Sequence, residues 1–253
     1  MSRPRDIVKR GEWVRLRNRS GFLGYVTSTQ GASALVRWLE TGRGSWIGKR
    51  SLRVSSPPRA LVLEGSLDTA LHSPRSERDA LKNWCDAADI ALAFKTVHRI
   101  EDFDQIVEAL GRDQPPFVHI ICHGDHDDDD RPYLLFAPKP KKRNRIYLDA
   151  PETHTAFRRC FEGQSVLFSA CLVAKYDRHI DRFRKSARLR YVAAFSRTVY
   201  DDEAILFDIS LYHSILIAGL TFRAALERAR SALEALGIRG EVGRGQRLVK
   251  VFG

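Results

Sequence analysis

Two short apolar runs constrain this chain more than any other feature: Phe117-Val118-His119-Ile120-Ile121-Cys122 and Ser165-Val166-Leu167-Phe168-Ser169-Ala170. A strand with one wet face alternates apolar and polar residues, whereas a near-continuous run marks a strand covered on both faces. Amphipathic segments separate these runs. Residues 76–89 put Leu81, Trp84, Cys85 and Ala88 on one helical face, and 101–111 reads as a helix stopped by Gly111. Further helices are expected near 151–160, 173–187, 202–218 and 221–236. Strands are expected at 60–64, 90–97, 191–195 and 248–252, with a hairpin of 133–136 and 146–148. Strands alternating with helices predict an α/β/α sandwich on a largely parallel sheet.

The first 57 residues follow another pattern. Residues 1–60 hold thirteen of the 42 lysines and arginines but only Asp6, Glu12 and Glu40 of the 31 acids, together with Trp13, Trp38 and Trp46. Short alternating runs (13–16, 24–26, 34–38, 45–47) are separated by glycine-bearing turns at 19–21, 29–31 and 41–44. This spacing predicts a small all-β barrel and resembles Tudor-like or SH3-like modules. Ser55-Ser56-Pro57-Pro58 marks the boundary, giving a basic module over 1–57 and an α/β domain over 58–253. The basic surface suits a solvated face, docking of an acidic protein, or binding of nucleic-acid phosphates.

Composition excludes several classes. With 43% hydrophobic and 29% charged residues, the chain is neither disordered nor collagenous nor coiled coil. No apolar stretch approaches the ~20 residues that span a bilayer, and the N-terminus lacks the apolar core of a signal peptide. Cys85, Cys122, Cys160 and Cys171 form no C-x-x-C pair, so a cytoplasmic protein with free thiols, away from membranes, is expected.

Functional groups in an open parallel sheet gather beyond the carboxyl ends of its strands. Here one apolar run leads into His123-Gly124 and the other into Cys171. Were these strands neighbours, ~4.8 Å apart, imidazole and thiol would face each other, a minimal arrangement for acyl transfer. The Gly124 and Cys171 N–H groups suit an oxyanion hole, and a helix starting just after Cys171 would favour its thiolate. Ser169 and Ala170 would leave room for substrate. A zinc site from Cys122, His123, His126 and Cys171 is disfavoured, because Cys122 and His123 point to opposite faces of a strand; no metal or cofactor is expected. His119, Cys85 and Cys160 read as packing residues, His179 and His213 as structural or exposed. Asp127–Asp130 reads as a solvated run, with a cation or the basic module as alternative contacts.

The two blocks, Val118–Gly124 and Val166–Cys171, resemble those of caspase-like clan CD cysteine peptidases, and more closely the CHAT subgroup related to separase. That subgroup's additional histidine corresponds to His119, and its third block to Tyr191–Phe195, Asp201-Asp202 and Leu211-Tyr212, followed by Gly219–Ala225. The resemblance implies a caspase-like fold, His123 as general base and Cys171 as nucleophile. It assigns Asp201, or Asp202 by a one-residue slip, to a basic P1 side chain. Phe168–Leu172 departs from the Q-A-C-R-G of true caspases, which disfavours cleavage after Asp. The chain also lacks the helical repeats of typical CHAT proteins, so an activator or sensor is expected to be another protein or the small barrel. The implied setting is prokaryotic defence or signalling by limited proteolysis, with a gasdermin-like protein as one fitting substrate. An inactive caspase-like scaffold, whose barrel binds nucleic acid or a partner, is the competing reading.

Overall fold

The computed structural model describes residues 8–18, 23–39, 41–65, 77–110, 115–136, 145–238 and 248–253. Its centre is a six-stranded sheet built from β6 (Ala60–Gly65), β7 (Leu92–Val97), β8 (Phe117–Ile121), β12 (Ser165–Ser169), β13 (Tyr191–Phe195) and β14 (Val249–Phe252). The order is β14-β13-β12-β8-β6-β7, and every pair is parallel except the edge pair β13–β14.

Period-two alternation divides each central strand between two cores. Val118, Ile120, Val166 and Phe168 pack on one side with Phe103 and Ile106 of α2 (Asp102–Leu110), Phe157 and Phe161 of α3 (Pro151–Phe161), and Ile180 and Phe183 of α4 (Asp177–Ser186). Phe117, Ile121 and Leu167 face the other way, against Leu81 and Cys85 of α1 (Glu77–Ala87), Phe207 and Leu211 of α5 (Asp201–Tyr212), and Leu226 and Leu233 of α6 (Phe222–Ala235). The expected α/β/α sandwich is present, because doubly buried strands need apolar helices on both faces.

Three boundaries differ from expectation. The helix expected from 173 begins at Asp177, because residues 171–176 form a turn tied to the end of β13 by Leu172 N–H to Arg197 O (3.1 Å) and Ala174 N–H to Phe195 O (2.9 Å). The helix expected over 202–218 becomes π-helical at His213–Ile217, where the Ser214 hydroxyl donates to the Ser210 carbonyl at 2.8 Å. Such back-bonding of a serine bends a helix. The hairpin of β10 (Pro132–Leu135) and β11 (Arg145–Tyr147) gains a third antiparallel strand, β9 (His123–His126), whose polar residues conceal it in the sequence. Gly111 lies outside the described residues.

The N-terminal residues form an antiparallel sheet of β1 (Trp13–Leu16), β2 (Leu23–Gln30), β3 (Ser33–Trp38), β4 (Gly44–Gly48) and β5 (Leu52–Ser55), in the order β4-β3-β2-β1-β5. Val14, Val26, Val36, Trp38 and Leu52 fill its own core. Trp13, Leu23 and Leu39 instead join the cluster containing Leu61, Ala91 and Ala93 of the larger sheet's surroundings. Arg15 is 4% exposed; its guanidinium lies 3.7 Å from Asp86 and 3.6 Å from Asp89, near the end of α1. Arg53 also reaches Asp89 at 3.2 Å, and Arg59 donates to the Leu216 carbonyl at 2.7 Å. Part of the basic charge therefore faces the rest of the chain rather than solvent.

Candidate active site

Strands β8 and β12 are direct parallel neighbours in the register Phe117 with Ser165 through Ile121 with Ser169. One further bond, Cys122 N–H to Ser169 O at 3.2 Å, carries the pairing past both strand ends. His123 and Cys171 follow two residues beyond that last register pair, so both leave the same carboxyl rim. Each is partly exposed, between fully buried Cys122 and Ala170 and open solvent.

Gly124 shows how closely the two segments meet. A Cβ on it would lie 2.4 Å from the Cys171 carbonyl oxygen, 2.7 Å from Val173 Cγ2 and 3.0 Å from Ala170 Cβ. Only a residue without a side chain fits between β9 and the Cys171 turn. The β9–β10 ladder pairs Gly124 with Leu134. Asp127 N–H bonds to Arg131 O at 3.2 Å in the same register, and antiparallel pairs alternate, so the Gly124 pair is a non-hydrogen-bonded one. Its N–H therefore points out of the β10 ladder, toward the free edge of β9.

Leu172 has φ of +61°, a left-handed conformation that costs a side-chain-bearing residue ~1–2 kcal/mol. This strained turn holds Cys171 out of both strand and helix. The sulfur accepts the Val199 N–H at 3.5 Å and lies 3.8 Å from the Val199 carbonyl. Two residues later α5 opens with Asp201, partly exposed, and Asp202, exposed. Its entry is braced: Glu203 accepts the Tyr200 N–H at 3.1 Å and pairs with Arg197 at 2.9 Å. The third block is thus brought to the sulfur through Val199.

The turn after β9 reaches the same loop. Asp127 accepts the backbone N–H groups of Arg131 (2.9 Å) and Asp129 (3.1 Å), which hold its carboxyl below the usual range. Asp130 accepts the Tyr176 hydroxyl at 2.9 Å, with Lys175 at 3.8 Å. The acidic run is thus partly a clamp on the segment following Cys171. His126 packs edge-on against Tyr176, and burial, followed by nearby Lys175, lowers its pKa.

Two expectations are corrected. No helix starts beside Cys171, since α4 begins at Asp177; the backbone N–H of Val199, rather than a helix end, meets the sulfur. Ser169 and Ala170 are fully buried and belong to the core, not to a substrate groove. The other thiols are set apart by their surroundings. Burial raises Cys85 and Cys160 to about 12, and Cys122 is fully buried. Sequence reasoning missed Val199, which only the fold brings to the Cys171 sulfur, and the Arg197–Glu203 pair that braces the segment around it. A cavity of about 340 Å³ lies at the opposite, amino-end rim, lined by Phe117, Ser165, Tyr191 and Phe222. Among the described residues no helix is long and apolar enough to cross a membrane.

No curated protein matches the chain. Among solved structures it is similar to a secreted C11 cysteine protease from Bacteroides thetaiotaomicron in complex with an irreversible peptide inhibitor, with a TM-score of 0.50 and 11% identity. The likeness covers 77% of this chain and 65% of that one, and at this identity it is a likeness of fold, of the caspase-like kind. The CHAT domain matches residues 16–235, which takes in most of the N-terminal sheet as well as the sandwich. With the sheet order and the shared rim already in view, that span places the chain in the CHAT domain family.

Proposed function

We propose that the chain is a cysteine endopeptidase in which Cys171 is the nucleophile and His123 the general base. The observation that supports this reading is the β8–β12 register, in which both residues follow the same strand ends, with Gly124 against the Cys171 turn. The His123 imidazole takes the thiol proton, and the thiolate sulfur attacks the scissile carbonyl carbon. The N–H groups of Gly124 and Cys171 hold the oxyanion. As the C–N bond breaks, the imidazolium returns its proton to the leaving amine. Water, deprotonated by the imidazole, then cleaves the thioester and frees the thiol.

Asp201, with Asp202 beside it, comes two residues after Val199, whose N–H meets the Cys171 sulfur, and its carboxyl suits an arginine or lysine at P1. Regulated, limited cleavage of a protein substrate in a prokaryotic defence or signalling system fits the family. A gasdermin-like substrate and a protein activator or sensor belong to the same proposal, as does a cytoplasmic site of action.

Peptides with Arg or Lys at P1 and a fluorogenic leaving group test this. Wild type is expected to cleave them, and Cys171→Ala and His123→Ala to lose about a thousandfold or more while keeping wild-type circular dichroism. Equal turnover by the variants would overturn the dyad. Absence of turnover in wild type, even with its activator, would favour the scaffold reading, in which the basic sheet binds a partner or nucleic acid.

A further inference from the structure

Beneath the rim, on the sheet face covered by α1 and α5, three ionisable side chains from three elements meet in full burial. Glu77 comes from the start of α1, His119 from the middle of β8 and Asp208 from the middle of α5; each is 0% exposed. His119 Nδ1 lies 3.1 Å from the hydroxyl of Tyr212, one helical turn beyond Asp208. The ring therefore turns Nε2 the other way, 3.6 Å from Glu77 Oε1 and 3.6 Å from Asp208 Oδ2. One donor atom from each residue lies within 4.8 Å of the other two.

These separations are longer than hydrogen bonds. Two donors 3.6 Å apart can share an ion about 2.0–2.2 Å from each, the bond length of zinc to imidazole nitrogen or carboxylate oxygen, and the third donor is within reach of both. Two carboxylates and one imidazole, all fully buried and drawn from three separate elements, supply the oxygen and nitrogen donors that such an ion takes. A metal-bound histidine also commonly has its second nitrogen held by a neighbour, as Tyr212 holds Nδ1 here. One nitrogen and two oxygens suit zinc or another divalent first-row ion better than calcium or copper(I).

We propose that Glu77, His119 and Asp208 bind one structural divalent transition-metal ion that fastens α1, β8 and α5 together below the rim. The site is separate from the peptidase reading and does not depend on it.

The test uses full-length protein carrying Cys171→Ala, so that no thiolate at the rim competes for metal. Protein from zinc-supplemented culture is expected to hold about one equivalent of metal by mass spectrometry. Removal by a strong chelator is expected to lower the unfolding midpoint by about 5–10 °C, and added Zn(II) to restore it. His119→Gln and Asp208→Asn, where folded by circular dichroism, are expected to hold no metal and to be indifferent to chelator. Metal-free protein whose midpoint ignores chelator, Zn(II) and Mn(II) would overturn the proposal and leave protons holding the cluster. Metal retained in folded His119→Gln would overturn it equally. Because the readouts are metal content and stability, an inactive peptidase leaves the result unaffected.

Discussion

Gly124 carries no side chain because the Cys171 carbonyl already occupies the place of a Cβ. Gly124→Ala is expected to cost about 1–3 kcal/mol in urea unfolding and to displace the Cys171 turn, so peptide turnover falls further than stability does. A stability change below a few tenths of a kcal/mol would show that the two segments are not in contact. The thiols offer a second comparison at this scale. Cys85 and Cys160 are buried with pKa values raised to about 12, and Cys122 is fully enclosed, whereas Cys171 is partly exposed. Iodoacetamide at neutral pH is therefore expected to alkylate Cys171 first, as read by peptide mass mapping; preferential modification of Cys85 would contradict the site. His123, Gly124 and Cys171 were legible in sequence because each sits next to an apolar run whose end is easy to see. Val199 and Arg197 carry no such marker. The contact of Val199 with the sulfur and the bond from Leu172 N–H to the Arg197 carbonyl depend on β13 lying beside β12 and on the left-handed Leu172, which no local pattern announces.

Among the elements, strands and helices that bury a continuous face were readable, and those that serve the rim were not. The β12 and β13 runs and the apolar faces of α1 and α3 stand out in the sequence. The polar β9 hides because its residues, His123–His126, include no apolar side chain to alternate, although they pair with β10 along the whole strand. The late start of α4 hides because the amphipathic pattern runs on upstream while backbone bonds to Arg197 and Phe195 hold the chain in a turn. The β9 clamp has a pH signature. His126 has a pKa lowered by burial, so the unfolded chain binds its proton more readily than the folded one. This histidine's contribution is full above an unfolded pKa of about 6.5 and is lost as pH falls from there toward the lower folded value. His126→Gln is expected to flatten that part of the stability profile below about pH 6.5, measured by thermal unfolding. An unchanged slope would place the proton uptake elsewhere, His179 being the neighbouring group with a lowered pKa.

For the whole molecule, charge asymmetry in the sequence points to a separate basic module, but it does not reveal how that module is attached. Trp13, Leu23 and Leu39 share a core cluster with Leu61, Ala91 and Ala93, and Arg15 is buried beside Asp86 and Asp89. Residues 58–253 produced alone are expected to unfold at a lower temperature than the full chain or to aggregate; an unchanged midpoint would show an independent sandwich. Nucleic-acid binding, if present, depends on exposed charge, so Arg37, Arg43 and Arg50 changed together to Glu form a cleaner test than Arg15. Loss of DNA or RNA retention at low salt would support it, and unchanged retention would exclude it. The claim on which the peptidase account stands is narrower: a thiol and an imidazole act together at one sheet rim. Its most direct measurement is the rate at which a peptidyl chloromethyl ketone with arginine at P1 alkylates the protein, mapped by mass spectrometry. The account predicts a single adduct on Cys171, formed about a hundredfold or more slowly in His123→Ala. An adduct on another cysteine, or an equal rate without the imidazole, would contradict it.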